Sequence, residues 1–173
     1  MSRELPFSHS TNLNRLGVAG DEVRFTAGEA ERAALARFAG LVRVESFAAV
    51  IDLKKTSPNR FRLTFSLEAG IVQSCVVTLV ELPSHIQLGF ERELHFVPGL
   101  RRVPDMAAEV AMDDDLPEEI DSLYYDLAAP LIEEFVLAID PYPRAPGVEF
   151  RAGEGEGATE SPFAVLKGLK SPR

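Results

Sequence analysis

The sequence predicts an α+β domain: an antiparallel meander sheet with scope to curl into an open barrel, two flanking helices, and an extended C-terminal tail. Three observations carry this. Alternating apolar runs follow one another between Arg60 and Val97, two stretches carry helical spacing with recognisable caps, and a short apolar segment stands beyond a Gly/Glu-rich stretch at the very end.

From the N-terminus, Leu5 to Phe7 reads as a short first strand in which Pro6 is confined to an edge, followed by a polar connection through Asn12 and Asn14. Thr26 with Glu29 three residues on is a capping-box pattern. It opens a helix from Ala27 to Ala39 with Leu35 and Phe38 on its apolar side, closed by Gly40. Leu41 to Lys55 returns to alternation, with Phe47, Ala49, Ile51 and Leu53 on one side, and Ser57-Pro58-Asn59 is the turn into the central stretch.

There Phe61, Leu63, Phe65 and Leu67 share one face. Ile71, Cys75, Val77 and Leu79 follow as a second run, and Ile86, Leu88, Phe90, Leu94 and Phe96 as a third. Four sequential strands are thus expected to form the body of one sheet. From Pro98 to Asp121 the chain turns acidic and poor in apolar anchors, which predicts a flexible insertion. Pro130 is tolerated only in a first helical turn, and Asp126 stands where a cap is needed. The last long helix is therefore expected from Leu127 to Ala138, burying Leu127, Leu131, Phe135 and Ala138 and stopped by Asp140-Pro141-Tyr142-Pro143. Residues 1–150 form a single domain in this reading, and 151–173 a flexible acidic linker bearing a terminal apolar motif.

Composition narrows the function. A chain of 173 residues with 46% hydrophobic residues can bury a substantial core. Its net charge of −9 repels a phosphate backbone in bulk. A single cysteine, Cys75, rules out an intrachain disulfide and a Cys-rich metal site, and fits a reducing compartment. With no apolar signal core at the N-terminus and no long apolar run, the expected location is cytoplasmic.

Candidate chemistry is sparse. Cys75, placed mid-strand on the apolar face, reads as a buried, inert thiol rather than a nucleophile. His9, His85 and His95 are dispersed without metal-ligand spacing and read as surface histidines, His95 facing solvent. The carboxylates between Asp113 and Asp121 read as a solvated loop, lacking the glycine-punctuated pattern of a calcium site. No nucleophile elbow or phosphate-binding glycine loop is present, so no cofactor, metal or catalytic residue is assigned and a non-enzymatic role is expected.

Two groups remain. Lys54, Lys55, Arg60 and Arg62 flank one turn, as an ordinary solvated sheet rim or as a small RNA-contacting patch. Pro162, Phe163, Val165, Leu166, Lys167, Leu169 and Lys170 form an amphipathic terminal segment suited to docking, on its own domain or on a partner protein, with the lysines at the rim.

Val72-Gln73-Ser74-Cys75, the stretch from Asp126-Leu127 through Glu134 to Leu137-Ala138-Ile139-Asp140-Pro141-Tyr142-Pro143-Arg144, and the ending Ser161-Pro162-Phe163-Ala164-Val165-Leu166-Lys167-Gly168-Leu169-Lys170 together resemble the YceD-like large ribosomal RNA subunit accumulation protein family. The resemblance covers roughly the last two thirds of the chain. It implies a role in accumulation of large-subunit ribosomal RNA and hence in ribosome assembly. Many members of that family carry a CxxC pair and further cysteine after the long helix, which suggests a metal clip. Here Val72 stands at the first position, Cys75 at the second, and no cysteine follows Arg144, so a metal is not expected and packing is expected to replace it.

The leading expectation is a non-catalytic factor working through contacts with a ribosome-assembly or ribosomal protein, with ribosomal RNA engaged directly or indirectly and no membrane involved. Direct RNA binding through the basic patch and an apolar-ligand-binding barrel are the alternatives.

Overall fold

The computed structural model describes residues 5–17, 19–99 and 117–148. Its architecture is α+β, built on a five-stranded open sheet with two helices. The strands are β1 (Ser10–Asn12), β2 (Asp21–Thr26), β3 (Arg43–Ser57), β4 (Arg60–Ser74), β5 (Glu81–Phe96), β6 (Glu118–Ile120) and β7 (Tyr124–Asp126); the helices are α1 (Glu29–Ala39) and α2 (Ala128–Ala138). The main sheet has the order β2-β3-β4-β5-β6, antiparallel except for the β5–β6 pair, while β1 and β7 form a separate antiparallel pair.

The three long strands carry the molecule. Phe47, Ala49, Ile51 and Leu53 of β3 and Phe61, Leu63, Phe65 and Leu67 of β4 are buried on one face, as their alternation predicts. Both helices share the apolar cluster on that face, α1 through Leu35 and Ala36 and α2 through Leu131, Ile132 and Phe135. The opposite face is polar, with Arg62 beside Glu93 and Thr64 beside Glu91 across the β4–β5 ladder. Such a two-layer arrangement needs only one apolar face per sheet.

Several expectations are corrected. Ile71 does not open a second strand: β4 runs unbroken to Ser74, and Cys75–Val80 is the turn that leads into β5. Gly70, which looks like a break in sequence, lies within the β4 ladder opposite His85. Its N–H donates to Ser46 Oγ at 2.9 Å beside the bulge in β3 between Val44 and Ser46, and a Cβ there would stand 3.0 Å from the same oxygen, so a side chain would crowd that hydrogen bond. Leu5 to Phe7 is not a strand; Phe7 instead stacks on Phe25 of β2 at 5.1 Å.

At α1 the box is shifted, with Gly28 donating its N–H to Glu31 Oε2 at 2.7 Å in place of a Thr26–Glu29 pair. Gly40 ends that helix in the left-handed conformation, as expected. The N-cap of α2 is Leu127 rather than Asp126 and has no side-chain cap bond; Asp126 stands one residue earlier, its Oδ1 accepting from the N–H of Ala128 at 3.0 Å and of His9 at 2.7 Å. The buried stripe of α2 holds Ile132 in place of Ala138, which is exposed. His95 alternates away from buried Leu94 onto the face it shares with exposed Arg60, and is itself partly buried there. Most of the predicted insertion, residues 100–116, and the linker and tail, 151–173, lie outside the described residues.

Candidate functional site

The part of the molecule where distant segments converge is the turn after β4. Cys75 N–H donates to Val80 O and Leu79 N–H to Cys75 O, both at 2.9 Å, and Ser74 Oγ lies 3.2 Å from Leu79 O as its donor. Leu79 adopts a φ of 61°, a left-handed conformation that strains a residue with a Cβ and a bulky side chain. The turn keeps it because it is held from outside. Val76 N–H donates to Pro143 O at 2.9 Å, Gln73 Nε2 to Asp140 O at 2.8 Å, and Ala145 N–H to Cys75 Sγ at 3.4 Å.

Val72 and Cys75, and the stretch from Asp140 to Arg144, thus meet at one end of the sheet. Val72 is fully buried and offers no donor atom, and Cys75 Sγ already accepts from Ala145 and, at 3.5 Å, from Thr78 N–H. These positions do not fit a metal ion. Hydrogen bonds and apolar packing join the two segments, so the valine at the first position of the pair belongs to a packed joint.

The expectation of an inert mid-strand thiol is corrected in two respects. Cys75 lies in the turn, and its pKa is lowered from the ordinary thiol value to about 6. Hydrogen bonding from the Thr78 side chain is the largest cause, followed by the N–H groups of Thr78 and Ala145. The sulfur has no exposure to solvent yet lies just beneath the surface, so desolvation opposes the shift only weakly. The signal available in sequence was the threonine three residues after the cysteine; the contribution of Ala145 was not legible there.

Around this joint the surface is apolar. Val76 (47% exposed), Leu79 (77%) and Val80 (50%) project from the turn, with Val42, Leu137 and Tyr142 also exposed nearby in the converging segments. A groove of about 290 Å³ runs between Leu41 and Val42 after α1, Val76 of the turn, and Ile139, Pro141 and Pro143 after α2. A second depression of about 380 Å³ shares Gln73, Asp140 and Pro143 with it and continues past Ile71 and Ile86 to His85 and Arg144. Sequence reasoning missed this surface, because its members lie far apart along the chain.

The predicted basic group sits at the other end of β4, about 45 Å away at the rise of an extended strand. Lys54 pairs with Arg62 across the β3–β4 ladder, Arg60 lies opposite His95, and Lys55 Nζ stands 5.8 Å from the centre of the Phe61 ring. Arg62 donates through Nε and Nη2 to Glu93 Oε1 at 3.1 and 2.7 Å, and that hydrogen bond raises its pKa further. The four residues do gather, but one charge is already held by a carboxylate. Three other arginines that sequence reasoning passed over, Arg32, Arg37 and Arg43, line a groove of about 370 Å³ between α1 and the start of β3. Arg32 donates to Ala27 O at 2.9 Å, and Arg43 is paired with Glu45 and Glu81.

The terminal candidates from Pro162 to Lys170 lie outside the described residues. Among the described residues no group of three or more His, Cys, Asp or Glu side chains is placed to hold a metal ion, and no helix is long and apolar enough to cross a membrane. Comparison with protein-family models, with curated proteins and with solved structures found no match for this chain.

Proposed function

We propose that this chain is a non-catalytic factor that supports accumulation of large-subunit ribosomal RNA and ribosome assembly, acting through contacts with a ribosomal or ribosome-assembly protein in the cytoplasm. The observation that supports protein contact most directly is the apolar end of the sheet. Val42, Val76, Leu79, Val80 and Tyr142 are exposed at the joint formed by two of the segments that carry the family resemblance. An exposed apolar cluster with a packed, rigid base is the kind of surface that protein partners cover. The net charge of −9 supports the same choice, since each RNA phosphate contact would work against the field of the whole molecule.

The test is sedimentation of cell extract carrying the intact chain or the Val76→Asp and Leu79→Asp variants, with and without nuclease. Co-sedimentation of the intact chain with precursors of the large subunit, weakened in both variants and surviving in a protein complex after nuclease, is the expected result. Unchanged co-sedimentation of both variants would remove the turn from the contact, and loss of all association after nuclease would favour RNA as the direct partner.

A further inference from the structure

The groove beside the turn has an occupant within the same chain. We propose that in the free protein the C-terminal segment 161–173 lies on the groove between Val42, Val76 and Pro143, with Phe163 and Leu166 inserted, and that the partner must displace it. The second clause rests on the function proposed above; the first does not.

Three observations select this occupant over an unrelated protein. The described chain ends at Val148, whose N–H donates to Ala145 O, and Ala145 itself is bonded to Cys75 Sγ, so the chain leaves the domain at the groove. Residues 149–162 separate that exit from Phe163. At random-coil dimensions a stretch of that length spans about 20 Å, which would keep the segment at an effective concentration in the mM range over any nearby surface. Phe163, Leu166 and Leu169 recur at a spacing of three, the stripe that a single helical turn and a half lays into an apolar groove.

Charge points the same way. The segment contributes Lys167, Lys170 and Arg173 and no carboxylate side chain, whereas the chain as a whole carries −9. Asp140 lines the groove itself. The terminal segment is therefore drawn toward the body rather than repelled from it.

The experiment uses the full chain without any ribosomal component. A nitroxide is attached at Ser171→Cys, and the backbone amide signals are recorded by NMR with the label oxidised and reduced. Cys75 has no solvent exposure, and a sample treated with the reagent but lacking the Ser171→Cys change checks that it stays unlabelled. The expected result is selective loss of amide intensity at Val42, Val76 and Leu79, abolished by Phe163→Asp with Leu166→Asp while the remaining spectrum is unchanged. Intensity loss scattered over the surface, or none, would overturn the proposal. So would loss that appears when isotope-labelled chain without nitroxide is mixed with spin-labelled, unenriched chain, since the segment would then sit on a second copy. Displacement is read separately, as faster or tighter co-sedimentation of the Phe163→Asp, Leu166→Asp chain; docking without that gain would leave the contact standing and sink only the proposed competition.

Discussion

The N–H of Ala145 points at the sulfur of Cys75 from 3.4 Å, joining the segment after α2 to the turn that ends β4. Thr78 approaches the same sulfur from within the turn. The Thr78 side chain does most to favour the thiolate, and the two N–H donors add to it, so the thiol pKa is lowered to about 6.

Stability should therefore rise with pH across the interval between the folded and unfolded thiol values. The folded-state pKa is about 6, and an unfolded thiol titrates at roughly 8.5. Between these the unfolded chain binds the proton that the folded chain has released, so raising the pH favours folding, and the gain is lost as pH falls through 6. Urea midpoints of the intact chain measured from pH 6 to 9 should climb relative to those of a Cys75→Val chain. Parallel curves for the two would show that the thiol has the same pKa in the folded and unfolded chains.

The edge-on contact of Phe47 with Phe135, at 5.3 Å and 80°, ties β3 to α2 in the middle of the core. Both rings are buried, Phe135 completely. Phe135→Ala should cost roughly 3–5 kcal/mol, the range for emptying a buried aromatic site. Chemical denaturation reads this as a lower midpoint, and a loss under about 1 kcal/mol would mean that α2 collapses onto the space with little penalty.

Arg92 bridges β5 to α2 by donating to Glu133 at 3.0 Å and Glu134 at 2.9 Å. Its side chain is 32% exposed, so solvent screens much of the attraction. Arg92→Met, which keeps the stem, should lower stability by about 1 kcal/mol or less at low salt. The difference from the intact chain should shrink as salt is added, and a cost that ignores ionic strength would assign the residue's role to packing.

At the opposite end of β4, Lys55→Glu and Arg62→Glu should leave association with ribosomal precursors unchanged, because Arg62 is committed to Glu93 and the field of the whole chain, at −9, opposes RNA. Binding of the intact chain to large-subunit ribosomal RNA that weakens steeply with salt, and again with each reversal, would restore the basic patch as the contact.

What could be read in advance follows from where the physics is local. The faces of β3 and the first half of β4 were visible because strict alternation fixes burial whichever strands pair. Capping chemistry made the helices visible, although Glu31 does the work that Glu29 suggested. The reading failed where composition and conformation part company. Glu68-Ala69-Gly70 looks like a turn but continues the ladder against Gln87, Ile86 and His85. Cys75-Val76-Val77-Thr78-Leu79 looks like a strand, being rich in β-branched residues, but is bent back by contacts to Pro143 and Ala145. β2 is an edge strand of six residues, and β6 and β7 have three each, too few to set up a period. The apolar surface was hidden for a related reason, since only the tertiary fold places Val42 and Val76 beside Pro143.

The β1–β7 pair brings Ser10 opposite Asp126, and Leu127 N–H donates to His9 O. The loop between its two strands runs from Asn12 to Tyr124, about two thirds of the polypeptide, so zipping them carries an entropic cost that the neighbouring β3–β4 and β4–β5 hairpins never meet. This latch should shut late in folding and open early, and in hydrogen–deuterium exchange the amides of residues 10–12 should trade their protons well before those in the middle of β4.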